Sequence, residues 1–120
     1  MRISVLSEDT SINPLFKSEH GLSLFIEYND QNILFDTGKS SLFMENAQKL
    51  QINLSECQIC VISHGHYDHL GGLIDFMKIN GDAGIYLKRE VFESQYYSKK
   101  GNLERLIGYS SELHAYKERF

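Results

Sequence analysis

Side chains that bind metals are concentrated in the stretch Ser63–Gly72. Three histidines and one aspartate fall within six positions, at His64, His66, Asp68 and His69. Neutral imidazole nitrogens and carboxylate oxygens are good ligands for a borderline cation such as zinc. A lone histidine is usually a core or surface residue, but this density directly after an apolar strand favours a metal site. We therefore predict that these four side chains bind metal.

The spacing divides the four ligands into two pairs. His64 and His66 are two positions apart, so an extended backbone points both rings to the same side. Asp68 and His69 follow where the chain turns toward a helix, and they can face a second metal beside the first. The glycines that follow, at positions 71 and 72, remove side chains where the helix must approach the sheet and the metals.

Two further parts of the sequence could take part in such a site. Asp36 ends a predicted neighbouring strand, and we expect its carboxylate to fix a ligand histidine through the other ring nitrogen. Cys57 and Cys60 form a C-x-x-C pair that invites a redox or zinc interpretation. Because Cys60 lies in the apolar run 59–62 and no second pair accompanies it, we assign it to the core instead.

The elements that position these residues follow from the apolar patterns. Alternating or continuous apolar residues predict strands, and apolar residues at i, i+3, i+4 and i+7 predict helices. The second and third strands are predicted to form an antiparallel hairpin. The predicted strands are 1–6, 22–27, 33–35, 59–62 and 85–87, and the predicted helices are 42–50, 70–77 and 113–119. Residues 91–97 fit a short helix or a lid-like segment, and 99–102 a turn.

Length and charge limit the functional classes. A chain of 120 residues forms one domain, 1–120. The formal net charge of −4 and the absence of a Lys/Arg cluster argue against a nucleic-acid or anionic-membrane partner. No apolar run approaches the ~20 residues of a membrane span. Glu8 and Asp9 follow the start too soon for a secretory signal peptide, so we expect a cytoplasmic protein.

Together these residues resemble a known family. The His-x-His-x-Asp-His pattern of residues 64–69, the Leu-Gly-Gly after it and the Leu-Phe-Asp-Thr-Gly of 34–38 before it resemble the metallo-β-lactamase superfamily. Residues 19–23 and 63–69 are similar to one branch of it. That branch contains the dihydropterin-ribofuranosylaminobenzene phosphate synthases, which are often labelled metal-dependent hydrolases.

The resemblance implies a fold and a chemistry. The fold is α/β, a four-layer αββα sandwich, of which this chain matches the N-terminal half: one mixed sheet with helices on one face. The resemblance also implies a dinuclear site, usually zinc, although manganese or iron is not excluded. His64 and His66 would hold the first metal and Asp68 and His69 the second, with hydroxide attacking an ester, thioester, lactam or phosphoester. Asp68 would orient that nucleophile or take up its proton, and His20 would lie near the mouth of the site.

Three functional hypotheses stay open at this point. In the family, the second half of the sandwich supplies further ligands, whereas after His69 this sequence has one more histidine, His114. The chain could be a hydrolase completed by another chain, a non-catalytic oligomeric fragment whose metal site is partly or wholly empty, or a structural or regulatory metal-binding module. Because the uncovered sheet face would be apolar, we expect a homodimer joined sheet to sheet, or a separate chain carrying the second half.

Overall fold

Five strands form one mixed sheet in the order β1-β2-β3-β4-β5. The first three are antiparallel neighbours, and β3, β4 and β5 run parallel to one another. The structure is a computed structural model and describes residues 1–93, 97–100, 103–106 and 111–120. The strands are β1 (Arg2–Ser7), β2 (Ser23–Tyr28), β3 (Gln31–Phe35), β4 (Ile59–Val61) and β5 (Gly84–Tyr86). The predicted hairpin of β2 and β3 is confirmed.

Short helices cover one face of this sheet. They are α1 (Leu42–Lys49), α2 (Tyr67–Leu70), α3 (Leu73–Ile79) and α4 (Glu90–Glu93), with 3₁₀ helices at Leu54–Glu56 and Ser111–Arg119. Apolar side chains from alternate strand positions and from the helices are buried together in one core, which includes Leu34, Cys60, Phe43, Leu73 and Phe76. This confirms the predicted α/β class, with one mixed sheet and helices on one face. Among the described residues, no helix is long and apolar enough to cross a membrane.

The opposite face of the sheet is also apolar. The strand register aligns two rows of residues across all five strands. One row is Val5, Leu24, Phe35, Val61 and Tyr86, and the other is Ile3, Ile26, Ile33, Ile59 and Gly84. The edge residues are the most open, since Ile3 is 51% exposed and Tyr86 62%. We call these two rows the apolar face.

The helix predicted over 70–77 is wrong at its start. The chain forms α2 first and then breaks at Gly71 and Gly72 before α3 begins. At the break, Gly72 N donates to the Thr37 hydroxyl and Asp68 O accepts from Leu22 N, so both groups have partners outside the helix. A Cβ on Gly72 would collide with the ring of Phe43 and with backbone oxygens of the segment 37–40, so this close packing requires glycine. The prediction for α1 was also wrong at one position: the helix ends before Leu50, which is 37% exposed, and Asn46 shares the buried face instead.

The last quarter of the chain departs most from expectation. Residues 90–93 form α4, as the short-helix alternative proposed, but Tyr97–Lys100 is a strand paired with Leu103–Leu106. The predicted turn at 99–102 therefore overlaps the first of these strands, and its residues 101 and 102 lie outside the described part. Tyr96, predicted in the same segment as α4, lies outside it too. The final helical stretch is present as a 3₁₀ helix.

Candidate metal centre

The site is built where two parallel strands end at the same edge of the sheet. Because β3 and β4 run parallel, their carboxyl ends bring Asp36 and Ser63 together. The Asp36 backbone N–H donates to Val61 O at 2.9 Å, and Asp36 then adopts a left-handed backbone with φ of 58°. Aspartate tolerates this conformation better than most residues other than glycine. The turn directs its side chain under the residues that follow β4.

The ligand turn, residues 63–72, is fastened to the rest of the chain by backbone contacts. Thr37 N donates to His69 O at 2.7 Å, and Leu22 N donates to Asp68 O at 3.2 Å. The Thr37 hydroxyl also accepts from Gly72 N at 3.1 Å. These bonds satisfy groups that a short, broken helix cannot satisfy internally. The turn is therefore held in place independently of its own side chains.

The carboxylate of Asp36 is the centre of a buried hydrogen-bond network. The residue has no exposed surface, and its Oδ1 accepts from Ser63 N at 2.7 Å. Its Oδ2 lies 2.6 Å from Ser63 Oγ and 2.8 Å from His69 Nδ1. A buried carboxylate needs several such donors to offset its lost hydration. The geometry brings Asp36 against the inner nitrogen of His69, where the carboxylate can fix the orientation of that ring.

Three of the four predicted ligands come together in one group. Ligand atoms of His64, Asp68 and His69 all lie within 4.8 Å of one another. His69 Nε2 is 3.6 Å from Asp68 Oδ2, and two ligands of one tetrahedral zinc are about 3.4 Å apart at ordinary bond lengths. These donors therefore fit a zinc-sized cation with little movement. The fourth, His66, sits beside them, with its ring edge-on to that of His64 at a centroid distance of 4.7 Å.

The electrostatic surroundings favour the form of His64 that binds metal. Partial burial, together with the neighbouring rings of His69 and His66, lowers the pKa of His64 below its usual value. Both effects disfavour the charged imidazolium. Because a metal ligand must be the neutral imidazole, the site presents His64 in a suitable form at neutral pH.

His20 approaches the group from the opposite side. Its Nε2 lies 3.0 Å from Asp68 Oδ2, and its Nδ1 lies 3.4 Å from Asp9 Oδ2. Asp9 also accepts from Gly21 N at 3.1 Å, and this bond together with His20 lowers the pKa of Asp9. The structure therefore places the half-exposed ring of His20 at the rim of the site, against one of the predicted ligands.

Sequence reasoning missed three residues that contact the predicted site. They are Ser63, whose hydroxyl is 2.9 Å from His64 Nδ1, Thr37 and Asp9. Ser63 and Thr37 are sequence neighbours of predicted site residues, so their positions at strand ends could have identified them. Asp9 lies in a long loop with no pattern that connects it to residue 68.

The C-x-x-C pair lies in the core, as predicted. Cys60 has no exposed surface and Cys57 very little, and both thiols are free. Cys57 Sγ lies 3.2 Å from Asn32 O and from Ile59 O, so backbone carbonyls accept from it. Burial raises the pKa of both thiols, which keeps them protonated and unreactive.

Comparison with known proteins settles the ancestry of this arrangement. A family profile for the metallo-beta-lactamase superfamily matches residues 18–118. The chain belongs to this superfamily. An uncharacterised protein of Methanocaldococcus jannaschii is 34% identical over 95% of this chain and 43% of its own length. The 7,8-dihydropterin-6-methyl-4-(beta-D-ribofuranosyl)-aminobenzene-5'-phosphate synthase of the same organism is 36% identical over 78% of this chain and 34% of its own.

Solved structures of superfamily members have the same fold. Tm1679, a metal-dependent hydrolase of the beta-lactamase superfamily, matches with a TM-score of 0.73 and 38% identity, covering 95% of this chain and 38% of the other. The metallo-beta-lactamase MIM-1 of Novosphingobium pentaromativorans matches at 0.56 and 26%, covering 76% and 36%. The chain thus spans less than half the length of these relatives. Membership supports a general hydrolase-family role and implies a metal, consistent with the His-Asp-His group.

Proposed function

We propose that the ligand turn binds zinc and forms part of the active site of a hydrolase that cleaves an ester or phosphoester. The observation that supports this most directly is the convergence of His64, Asp68 and His69 on one point, with Asp36 holding His69 from behind. A bound cation would stabilise this arrangement, because it would sit between the outer nitrogen of His69 and the neighbouring carboxylate. Manganese and iron are the alternative occupants of the same site.

Each residue has a proposed role. His64, His66, Asp68 and His69 are the metal ligands, and Asp36 orients His69 through its inner nitrogen. When bound, the metal supplies a water of lowered pKa and stabilises developing negative charge. Asp68 is the proposed catalytic residue, which orients the nucleophile or accepts its proton. His20 lies against Asp68 at 3.0 Å and is half exposed, so we propose that it contacts the substrate.

A complete site needs ligands from elsewhere. Catalytic zinc usually has three protein ligands and a water, whereas the four ligands proposed here give two for each of two metals. We propose that a second copy of this chain packs against the apolar face and completes the site. The support is the two apolar rows, one with side chains on all five strands and one with side chains on four, with Tyr86 and Ile3 more than half exposed. Such a face is seldom left in water. A separate chain carrying the second half of the sandwich is the alternative.

Metal analysis tests the first part of this proposal. Protein purified without chelator is analysed for bound metals, and zinc affinity is measured by competition with a chromophoric chelator. About two zinc ions per chain would support the dinuclear hydrolase. Absence of metal, and no uptake on adding zinc or manganese, would refute it in favour of a non-catalytic fragment.

Activity is tested separately, on the full chain with zinc or manganese added. Phosphodiester and carboxylester chromogenic substrates are screened, and His66→Ala is the diagnostic variant. We expect His66→Ala to abolish any turnover, because it removes a ligand while leaving the Asp36 network untouched. Turnover that survives this change would mean that the activity comes from another site.

One observation favours a second candidate function, a structural or regulatory metal module. The three converging ligands belong to a single group, and His66 is not part of it. Three protein ligands suffice for one metal. One tightly held zinc per chain with no turnover of any ester tested would support this module over the hydrolase.

The proposed dimer has its own test. Multi-angle light scattering at micromolar concentration should give twice the mass of one chain. Val5→Lys, at the exposed end of one row, should shift the protein to monomer. Lys49→Glu, on the helical side of the sheet, serves as the charge-changing control. A stable wild-type monomer would contradict the dimer without affecting the metal proposal.

A further inference from the structure

The hydrogen-bond network under the site reaches one step beyond Asp36. Oδ2 of Asp36 has two neighbours, Ser63 Oγ at 2.6 Å and His69 Nδ1 at 2.8 Å. A carboxylate has lone pairs and no proton, so both neighbours must donate to it. The single hydroxyl proton of Ser63 is thereby committed to Asp36, and Nδ1 of His69 must carry its proton.

This commitment fixes the other contact of Ser63. Its oxygen lies 2.9 Å from His64 Nδ1. Since the hydroxyl proton already points at Asp36, the oxygen can only accept toward His64, and Nδ1 of that ring must therefore be the donor. In a neutral imidazole the two nitrogens have opposite roles. The Nε2 atoms of His64 and His69 are then both left as lone pairs.

We propose that Ser63 is a positioning residue that relays the negative charge of Asp36 to His64, so that one buried carboxylate sets the tautomer of two imidazoles. The consequence for metal binding rests on the proposed function, whereas the tautomer itself does not. Asp36 sets the tautomer of His69 directly, and it sets the tautomer of His64 through the hydroxyl of Ser63. Both rings are thus held with the same nitrogen facing outward before any metal arrives.

The chain allows this role to be separated from a structural one. The backbone N–H of Ser63 donates to Asp36 Oδ1 at 2.7 Å, and that bond survives any change of side chain. Ser63→Ala therefore removes the hydroxyl bridge and leaves the turn anchored. Ser63→Thr keeps a hydroxyl on the same carbon and is the matched control.

The decisive measurement is the tautomer of His64 in metal-free protein. Long-range ¹H–¹⁵N correlation spectra, recorded at a pH where the imidazoles are neutral, distinguish protonated from unprotonated ring nitrogens. We expect His64 protonated at Nδ1 in the wild type and in Ser63→Thr, and a mixture of tautomers in Ser63→Ala. His69 should stay protonated at Nδ1 in all three, because its contact with Asp36 is unchanged.

Zinc affinity gives the second measurement. Loss of a partner behind a ligand histidine typically weakens metal binding about 10–100-fold, and we expect that loss in Ser63→Ala. Ser63→Thr should stay within about threefold of the wild type, a change well below that range.

The two proposals fail in different ways. A wild-type His64 protonated at Nε2, or a Ser63→Ala spectrum identical to that of the wild type, would overturn the relay whatever the metal content. A wild type that shows the expected tautomers but takes up no zinc would uphold the relay and overturn the proposed function. Zinc affinity unchanged in Ser63→Ala, with the tautomer shifted, would overturn the relay's importance for binding.

Discussion

Two groups of potential metal ligands lie in and around the same strand, β4, and their surroundings differ. Cys57 and Cys60 lie before and within β4, and their thiols are buried among apolar side chains with raised pKa values. The histidines lie after its end, at an edge where β3 also finishes. Spacing along the sequence therefore does not decide which group can form a metal site. The decisive feature is whether the side chains leave the sheet at the carboxyl end of parallel strands, where neighbouring strands add partners.

The largest expected effect comes from crowding the ligand turn. In Gly71→Ala the new methyl group would meet the backbone oxygens of Lys39 and Tyr67, neither of which can move alone. We expect the free energy of unfolding to fall by about 3 kcal/mol or more, the upper range for overpacking. Gly81→Ala, where the methyl group meets nothing, should stay within about 0.5 kcal/mol of wild type. Urea denaturation measures both, and equal stability would show that the turn is not rigid.

The second-largest expected effect is on zinc affinity, and it compares the histidines with the cysteines directly. His69→Ala removes one proposed ligand and one donor to Asp36, so zinc affinity should fall more than the ~100-fold that loss of an outer partner can cause. Cys57→Ala should leave the affinity unchanged, because its thiol lies in the core and donates to backbone carbonyls there. Chelator competition on both variants checks this. An equal fall in Cys57→Ala would mean that the thiol does reach the metal.

A third change tests the core assignment of Cys60. Cys60→Ser places a hydroxyl at a site without exposed surface, and an unsatisfied buried hydroxyl costs about 1–3 kcal/mol. We expect stability to fall by that amount while zinc affinity stays at the wild-type value. Cys60→Ala is the control, since it removes the thiol without adding a strong hydrogen-bonding group. A serine variant as stable as wild type would place residue 60 near water.

The smallest effect is kinetic and concerns pH. An unperturbed thiol has a pKa of about 8.5, whereas burial raises the pKa of Cys57 and Cys60 above the usual value. Alkylation by iodoacetamide should therefore accelerate as pH rises toward 9 in urea, but stay slow in the native protein, because the thiolate is the reactive form. Mass spectrometry counts the labelled thiols. Rapid alkylation of the native protein would show that the thiols are reactive, and the contrast between buried cysteines and the histidine group would be lost.

Much of the site was predictable because it depends on where strands end. The run 59–62 and the residues 33–35 gave two strands, and the donors that follow them, Asp36 and His64–His69, had to meet if those strands were neighbours. The hydroxyl of Ser63 and the carboxylate of Asp9 were not predictable in this way. Their roles depend on side-chain directions that only the packed structure defines.

The errors in the fold have a similar origin. A helical period over 70–77 cannot reveal that Gly72 N and Asp68 O find partners outside the helix, in Thr37 and Leu22. The pairing of Tyr97–Lys100 with Leu103–Leu106 was missed because neither segment shows apolar alternation. The burial of Asn46 was missed because its amide is satisfied by backbone oxygens of Leu6 and Lys17, which are far away in sequence.

The left-handed backbone at Asp36 has a consequence for engineering this protein. A residue other than glycine in that conformation carries about 1–3 kcal/mol of strain, which surrounding structure must hold in place. Glycine at this position would relieve that strain, but it would leave the N–H and hydroxyl of Ser63 and Nδ1 of His69 without their acceptor. Because these two effects on stability oppose each other, a screen for melting temperature alone does not select for the carboxylate at residue 36. Any such screen should include metal retention as a second criterion.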